Sequence, residues 1–460
     1  MTSTPRRTTR KTAAKRPARS RSKAPAAGAA SPAGAVAVAA PAPQPAAPAA
    51  GPATGPAAGT AGTEDVPRLL NRWQLVAVLA CLLFAVVTAS LQVMSWHANR
   101  AAADNTEQLV RVQNIQSTLF RADALATTAF LTGGLEPPEQ RAAYDDAIDS
   151  ISRQIADAAD AQPADRAALA DLNSAVTGYN ATIAQARANN RQGFPVGAEY
   201  LRTASTGLRD TTVSGSAIPV AKALVAANAD RAESELGAQH PFLILLPGLV
   251  TLLLLWWVNR QLARRFRRHV NLGVAAAALT VAVLTVVAFA VAAVQAVHNG
   301  DLRDGSYATS YRESTARTAG NDAKANESLR LISRGSGQVY EDRWGVASQT
   351  VQDNASDETA ALWDDYVAVH GRVVELDDGG KYDQAVRLAT TTGSNGSTAA
   401  MDRFDARSQE IVQASGDATT RALRGGNTGI LVLSVVTLLL GIAAAGLAVW
   451  GIGQRRREYA

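Results

Sequence analysis

The sequence predicts an all-α membrane protein in which four transmembrane helices carry two tandem extracytoplasmic helical bundles, related by internal duplication. Three observations predict it. Apolar residues are gathered into uncharged blocks, Arg and Lys cluster beside particular ends of those blocks, and the segments between blocks repeat a set of residues at matched spacing.

Along the chain of 460 residues, residues 1–66 join a basic head, running from Arg6 to Lys23, to an Ala/Pro/Gly tract. Such a tract buries too little apolar surface to fold, so a disordered cytoplasmic tail is expected. It also displaces the first apolar run by about seventy residues, which argues against a secretory signal peptide. That run, Trp73 to Trp96, is uncharged and ends in Trp at both sides, which suits a span of the roughly 30 Å hydrocarbon layer. With its lead-in it gives a first span over 67–96. Further apolar runs give spans over 242–258, 270–297 and 429–452.

Charge placement orients these spans, because Lys and Arg accumulate on the cytoplasmic side. The basic head, the loop 259–269 with Arg260, Arg264, Arg265, Arg267 and Arg268, and the tail 453–460 with Arg455, Arg456 and Arg457 share one side only if there are four spans. Residues 97–241 and 298–428 are then extracytoplasmic, and both termini are cytoplasmic.

Both extracytoplasmic segments read as helical bundles. Val112, Ile115, Leu119, Ala122, Ala126 and Ala129 recur at spacings of three and four, as on one face of a helix continuing from the first span. Its stop is marked at Gly133-Gly134, with Pro137-Pro138 beyond. Met401, Phe404, Ser408, Ile411, Ser415, Ala418 and Ala422 form a similar stripe leading straight into the fourth span.

The repeat is the most specific feature. Tyr179 is followed by Gly193, Ala198 and Leu201, and Tyr366 by Gly380, Ala385 and Leu388, at identical spacings. Upstream, Asp123-Ala124-x-Ala126 matches Asp322-Ala323-x-Ala325, and Tyr144-Asp145-Asp146 parallels Tyr340-Glu341-Asp342. Each unit reads as a span, a bundle of about four helices, and a returning span. In it the Gly opens an inter-helix turn and the Tyr packs across the bundle.

Catalytic chemistry is not legible. The single cysteine, Cys81, lies within the first apolar run, so neither a disulfide nor a cysteine-rich metal site can form within the chain. The histidines His97, His240, His269, His298 and His370 lack a second His or a carboxylate at metal-ligand spacing. No phosphate-binding glycine loop or serine elbow occurs. The expectation is a non-enzymatic protein with no cofactor. The spans also lack Asp, Glu, Lys and Arg, which disfavours ion or proton transport. They offer small residues at four-residue spacing instead, such as Ala288, Ala292 and Ala296, or Gly441 and Ala445. The basic head is placed to meet anionic lipid, and no nucleic acid partner is expected.

A span, a helical bundle and a return span resemble the ligand-sensing half of bacterial chemoreceptors and sensor kinases. After the fourth span only Gln454 to Ala460 follow, so a self-contained receptor with its own signalling domain is not expected. The duplicated arrangement over about residues 67–460 resembles GlnX-type membrane signalling proteins. The resemblance implies a relay between a solute-binding lipoprotein outside and a protein kinase inside, with a homodimer left open. No binding residue is carried over by it. On this reading the Arg loop and Arg tail form the cytoplasmic output surface. A structural scaffold of the envelope, and an accessory subunit of a transporter, remain as alternatives.

Overall fold

The computed structural model describes residues 66–132, 136–193, 195–212, 215–266 and 271–458. The basic and Ala/Pro-rich tract, the Gly133-Gly134 stop, and Arg267 and Arg268 therefore lie outside the described residues. For Arg455, Arg456 and Arg457 only the helical backbone is described.

The described residues are helical throughout, without a strand. Four helices are long and apolar enough to cross a membrane. The first, α1 (Val66–Leu131), runs without a break from its apolar half into a soluble bundle completed by α2 (Pro138–Ala161), α3 (Arg166–Arg191), the short α4 (Val196–Arg209) and α5 (Ala217–Leu236). The chain returns through α6 (Pro241–Phe266) and re-enters through α7 (Leu272–Leu302). A second bundle follows: α8 (Ala308–Ile332), α9 (Gln338–Asn354), α10 (Asp357–Asp378), α11 (Tyr382–Thr390) and α12 (Ser397–Gly425), and then α13 (Asn427–Glu458). Each bundle thus holds five helices, one more than the sequence suggests, because α4 and α11 are separate short pieces.

Within the spans, large apolar side chains face outward and small ones inward. Leu79, Leu83, Leu249, Leu253, Val286 and Leu439 are exposed, while Ala77, Ala277, Ala288, Ala292, Ala444 and Ala448 are buried. Lipid solvates the first set as well as a protein core would, so helix contacts depend on close approach between the second. A methyl added at Gly441 would come within 2.4 Å of the Ala85 Cβ, and one at Gly273 within 2.4 Å of the Gly451 Cα. On the side away from the bundles, Asn271 caps α7 by accepting from the Gly273 and Val274 amides and donates to the Gly451 carbonyl of α13. Asn259 of α6 accepts from the Asn271 amide. The ends of α6, α7 and α13 therefore meet at one residue.

The two bundles share one side of the membrane and pack along α1 and α8. Residues about 200 apart in sequence meet across this seam, Ser117 with Thr318 at 2.6 Å and Thr128 with Ser328 at 3.0 Å, and Asn99 of α1 meets Asn299 of α7 at 2.9 Å. Because α1 and α8 are sandwiched between the bundles, they are buried almost all round. The stripe Val112 to Ala129 is buried, as expected for a core face, and so are the polar Gln113, Gln116 and Thr128 off that face. On α8 even Glu313, Arg317, Lys324, Glu327 and Arg330 are buried.

Two details differ from the sequence reading. Along α12 the predicted stripe holds for Met401, Phe404 and Ser408, then passes to Val412, Gly416, Thr419 and Leu423, while Ala418 is exposed. Successive steps of four outrun a seven-residue repeat, so the buried face turns around the helix as α12 follows its neighbours. Nor does α12 lead straight into the span: Gly426 separates it from α13. Similar breaks occur at Gly237 before α6 and at a π-turn over Arg303–Tyr307, containing Gly305, between α7 and α8. Only α1 crosses its junction unbroken.

Candidate functional site between the bundles

The seam is fastened by Arg209, the last residue of α4. Its guanidinium bonds Asp123 of α1 at 2.7 Å and Asp322 of α8 at 2.6 Å, and lies over the Phe120 ring. Asp123 is fully buried, and its oxygens also accept from Tyr179 OH at 3.0 Å and Ser205 Oγ at 2.7 Å. Burial works to lower the Arg209 pKa, but the two carboxylates outweigh it and raise it. The pair Asp123 and Asp322 is thus shared by one cation from the first bundle.

Beside this clamp lies an open cleft of about 650 Å³, walled by α1 and α5 on one side and α8 and α9 on the other. Phe120, Val225, Val339 and Val346 line it, the last two being exposed. Arg209 and Asp322 form one rim. Lys222 and Arg343 also line it, both exposed.

A second polar centre is buried inside the second bundle. His370 of α10 lies between Glu327 of α8, 2.9 Å from Nδ1, and Glu341 of α9, 3.2 Å from Nε2, and stacks on Trp344 at a ring separation of 3.8 Å. Lys324 donates to Glu327 at 2.6 Å, and Arg330 to Glu341 at 3.3 Å. Burial opposes charge throughout the group. For Glu327 the attraction of Lys324 and the bond from His370 prevail, holding the carboxyl down at about 2. For His370 burial lowers the pKa, yet the bonds to Glu327 and Glu341 raise it above the ordinary value. At the seam, Asp405 of α12 is likewise held low against burial by Arg317 and Arg121.

A third arrangement ties the bundles to the spans. Asn99 of α1 donates to Gln295 of α7, and its oxygen accepts from Asn299 of α7 and from Gln239 in the α5–α6 link, each at 2.9 Å. Gln295 in turn lies against Gly426, where a methyl would come within 2.9 Å of its Nε2. All four junctions between span and bundle thus meet around Asn99.

Tyr179 on α3 and Tyr366 on α10 are both buried, and Gly193 and Gly380 behind those helices both take φ of +73°. Their hydroxyl partners differ: Tyr179 donates to Asp123, while Tyr366 accepts from Trp344 Nε1 at 3.3 Å. Arg260 lies over the Trp256 ring at the end of α6, and Arg264 and Arg265 follow on the same helix. The Arg455–Arg457 stretch continues α13 at the same side of the membrane. The sequence reading singled out neither Arg209 nor the Glu327–His370–Glu341 group. A charged residue every turn along α8 was the available signal, and on a single sequence it is indistinguishable from a solvated face.

Residues 98–237 match the family model of the actinobacterial sensor domain. The match covers the soluble half of α1 through α5, the first bundle. No curated protein and no solved structure matches the chain at a significant level. The chain is therefore a membrane protein whose first bundle is similar to a sensor domain.

Proposed function

We propose that this protein is a non-enzymatic transmembrane signal-transducing sensor whose bundles lie outside the cell and whose termini are cytoplasmic. The observation that carries this reading is α1, one helix from Val66 to Leu131 that crosses the membrane and forms the wall between the two bundles. A rigid helix transmits a shift or rotation only if a ligand or partner prefers one arrangement over another. The cleft walled by α1 and α8 supplies a place where such a preference could act. The match of the first bundle to a sensor domain supports the same reading.

Two finer parts belong to the proposal. The bundles arose by tandem duplication, a view favoured by the same order of long, long, short and long helices after α1 and after α8, and by the equal φ at Gly193 and Gly380. The output is read by a cytoplasmic partner of the Ser/Thr kinase class at Arg260, Arg264, Arg265 and Arg455–Arg457, with input carried by a solute-binding lipoprotein. Arg offers a planar fork to carboxylates on such a partner.

Orientation is tested by reporter fusions at Gln192 and Gly379, expected outside, and at Arg265, expected inside. The relay is tested by comparing Ser/Thr phosphorylation of cytoplasmic proteins between a deletion strain and strains carrying the wild type or a Ser117→Cys, Thr318→Cys pair in a Cys81→Ala background. The oxidised pair should reproduce one extreme of the wild-type range. Identical phosphorylation in all strains would remove the kinase from the reading.

A further inference from the structure

His370 is 2% exposed, and both of its ring nitrogens face a carboxylate: Nδ1 lies 2.9 Å from Glu327 and Nε2 3.2 Å from Glu341. A neutral imidazole carries one N–H and can donate to only one of the two, whereas the imidazolium donates to both. The ring also stacks on Trp344 at 3.8 Å and close to parallel, which favours a cation over the indole face. This is the geometry of a buried histidinium.

The charges around it agree. From α8, Lys324 holds Glu327, and Arg330 holds Glu341 of α9 together with Asp377 and Asp378 of α10. Tyr366, one turn before His370 on α10, also reaches Glu327. From α11 and α12 come the Ala389 carbonyl and the Ser397 hydroxyl, both bonded to Lys324. Asp383 and Arg387 of α11 are exposed, and the buried Asp405 of α12 is held by Arg317 and Arg121. The carboxylates of this group outnumber its cations, so a proton on His370 lessens the imbalance.

Helix α9 stands between this group and the cleft that separates the bundles. Glu341, Trp344 and Ser348 look toward α10, the last accepting from Trp363 Nε1 at 3.3 Å, whereas Val339, Arg343, Val346 and Thr350 line the cleft. At about 3.6 residues per turn these are opposite faces of one helix.

We propose that His370 binds a proton from the extracytoplasmic side and that the occupancy of this site sets the width of the cleft. Glu327 is fully buried and fixed by Lys324 and Ser397, whereas Glu341 is part-exposed, so the proton that leaves is the one on Nε2. The Nε2–H bond breaks, its electron pair stays on the ring, and the proton passes to water beside Glu341. Lone pairs then oppose each other across the Nε2–Glu341 contact, and α9 moves away from α10 into the cleft. The inference names external pH as an input of the proposed sensor and rests on that reading for its meaning, though its test does not.

The test uses the purified full-length protein in detergent. With histidine ring nitrogens labelled, an NMR titration should show one resonance, absent from His370→Gln, whose midpoint lies above the ordinary 6.5. Spin labels on Lys222→Cys and Val346→Cys, both at exposed positions and in a Cys81→Ala background, should come closer as pH rises through that midpoint. Glu341→Gln, at the part-exposed partner, should lower the midpoint and abolish the distance change, because an amide can either accept from Nε2 or donate to it. His370→Gln should abolish the change as well. A midpoint at or below 6.5, a distance that ignores pH in the wild type, or a pH response that survives in both variants overturns the proposal. A distance change that follows His370 while cytoplasmic phosphorylation ignores external pH supports the site and removes the kinase output. Phosphorylation that follows the trapped Ser117–Thr318 pair while the distance ignores pH overturns the proton site and leaves the sensor standing.

Discussion

Arg209 and Asp322 belong to different bundles and meet at 2.6 Å, and the same guanidinium holds the buried Asp123 of its own bundle at 2.7 Å. Removing the cation leaves Asp123 at zero exposure with only neutral donors. Loss of one partner from a buried pair costs about 3–5 kcal/mol. Arg209→Ala should therefore destabilise the soluble region by about that amount, whereas Asp322→Asn, at a part-exposed carboxylate, should cost about 1 kcal/mol or less. Denaturant unfolding in detergent compares the two, and equal effects would show that the clamp acts on the seam and not on Asp123.

The His370 group predicts a stability optimum in mildly acidic solution. The folded pKa of His370 is raised above 6.5, so its contribution is complete below that value and is lost as pH rises through the folded pKa. Glu327 is lowered from 4.5 to about 2, so its contribution is complete above 4.5 and is lost as pH falls toward 2. Glu341 is lowered in the same direction. The melting temperature should therefore fall as pH rises above about 6.5 and through the raised folded pKa of His370. His370→Gln should flatten this alkaline limb and leave the acid limb in place. An alkaline limb of unchanged slope in the variant would assign it elsewhere.

Gly193 and Gly380 both take φ of +73°, and a Cβ at either would meet nothing within 4 Å. Substitution by Ala therefore reports backbone strain alone, and each should cost about 1–2 kcal/mol. Gly178 and Gly371 lie inside α3 and α10 with equally open surroundings, and there Ala should stabilise by about 0.5–1 kcal/mol. Thermal melts of the four variants would show two opposite pairs. A cost at Gly193 without one at Gly380 would count against equivalent turns.

Asn99→Leu removes the acceptor of Asn299 and Gln239 and the donor to Gln295. The buried amides left behind should cost about 1–3 kcal/mol. Because all four junctions meet there, pH-dependent change in the spans should be lost while the titration of His370 is kept. Spin labels on cysteines placed at the outward-facing Leu83 of α1 and Leu439 of α13, in a Cys81→Ala background, read the spans by the distance between them. A pH response of wild-type size would show that signals bypass this layer.

Much of the architecture was legible because membrane solvation is a local rule. An uncharged run such as Trp73–Trp96 must cross the bilayer as a helix whatever else the chain does. The Val112–Ala129 stripe likewise records one core face. The tilt of the buried face beyond Ser408 was not legible, since it depends on the path α12 takes around its neighbours.

The sequence alone thus determined the four apolar helices and the all-α class. Only the tertiary structure decided that α1 and α8 lie side by side between the bundles. That packing turns the polar surface of α8 into an interior, and buried charge must find partners wherever the fold supplies them. His370 meets Glu327 across 43 residues of chain, and Arg209 meets Asp322 across 113. No local spacing encodes such pairs, because each partner lies on a different helix and the distance between them is set by how whole helices pack.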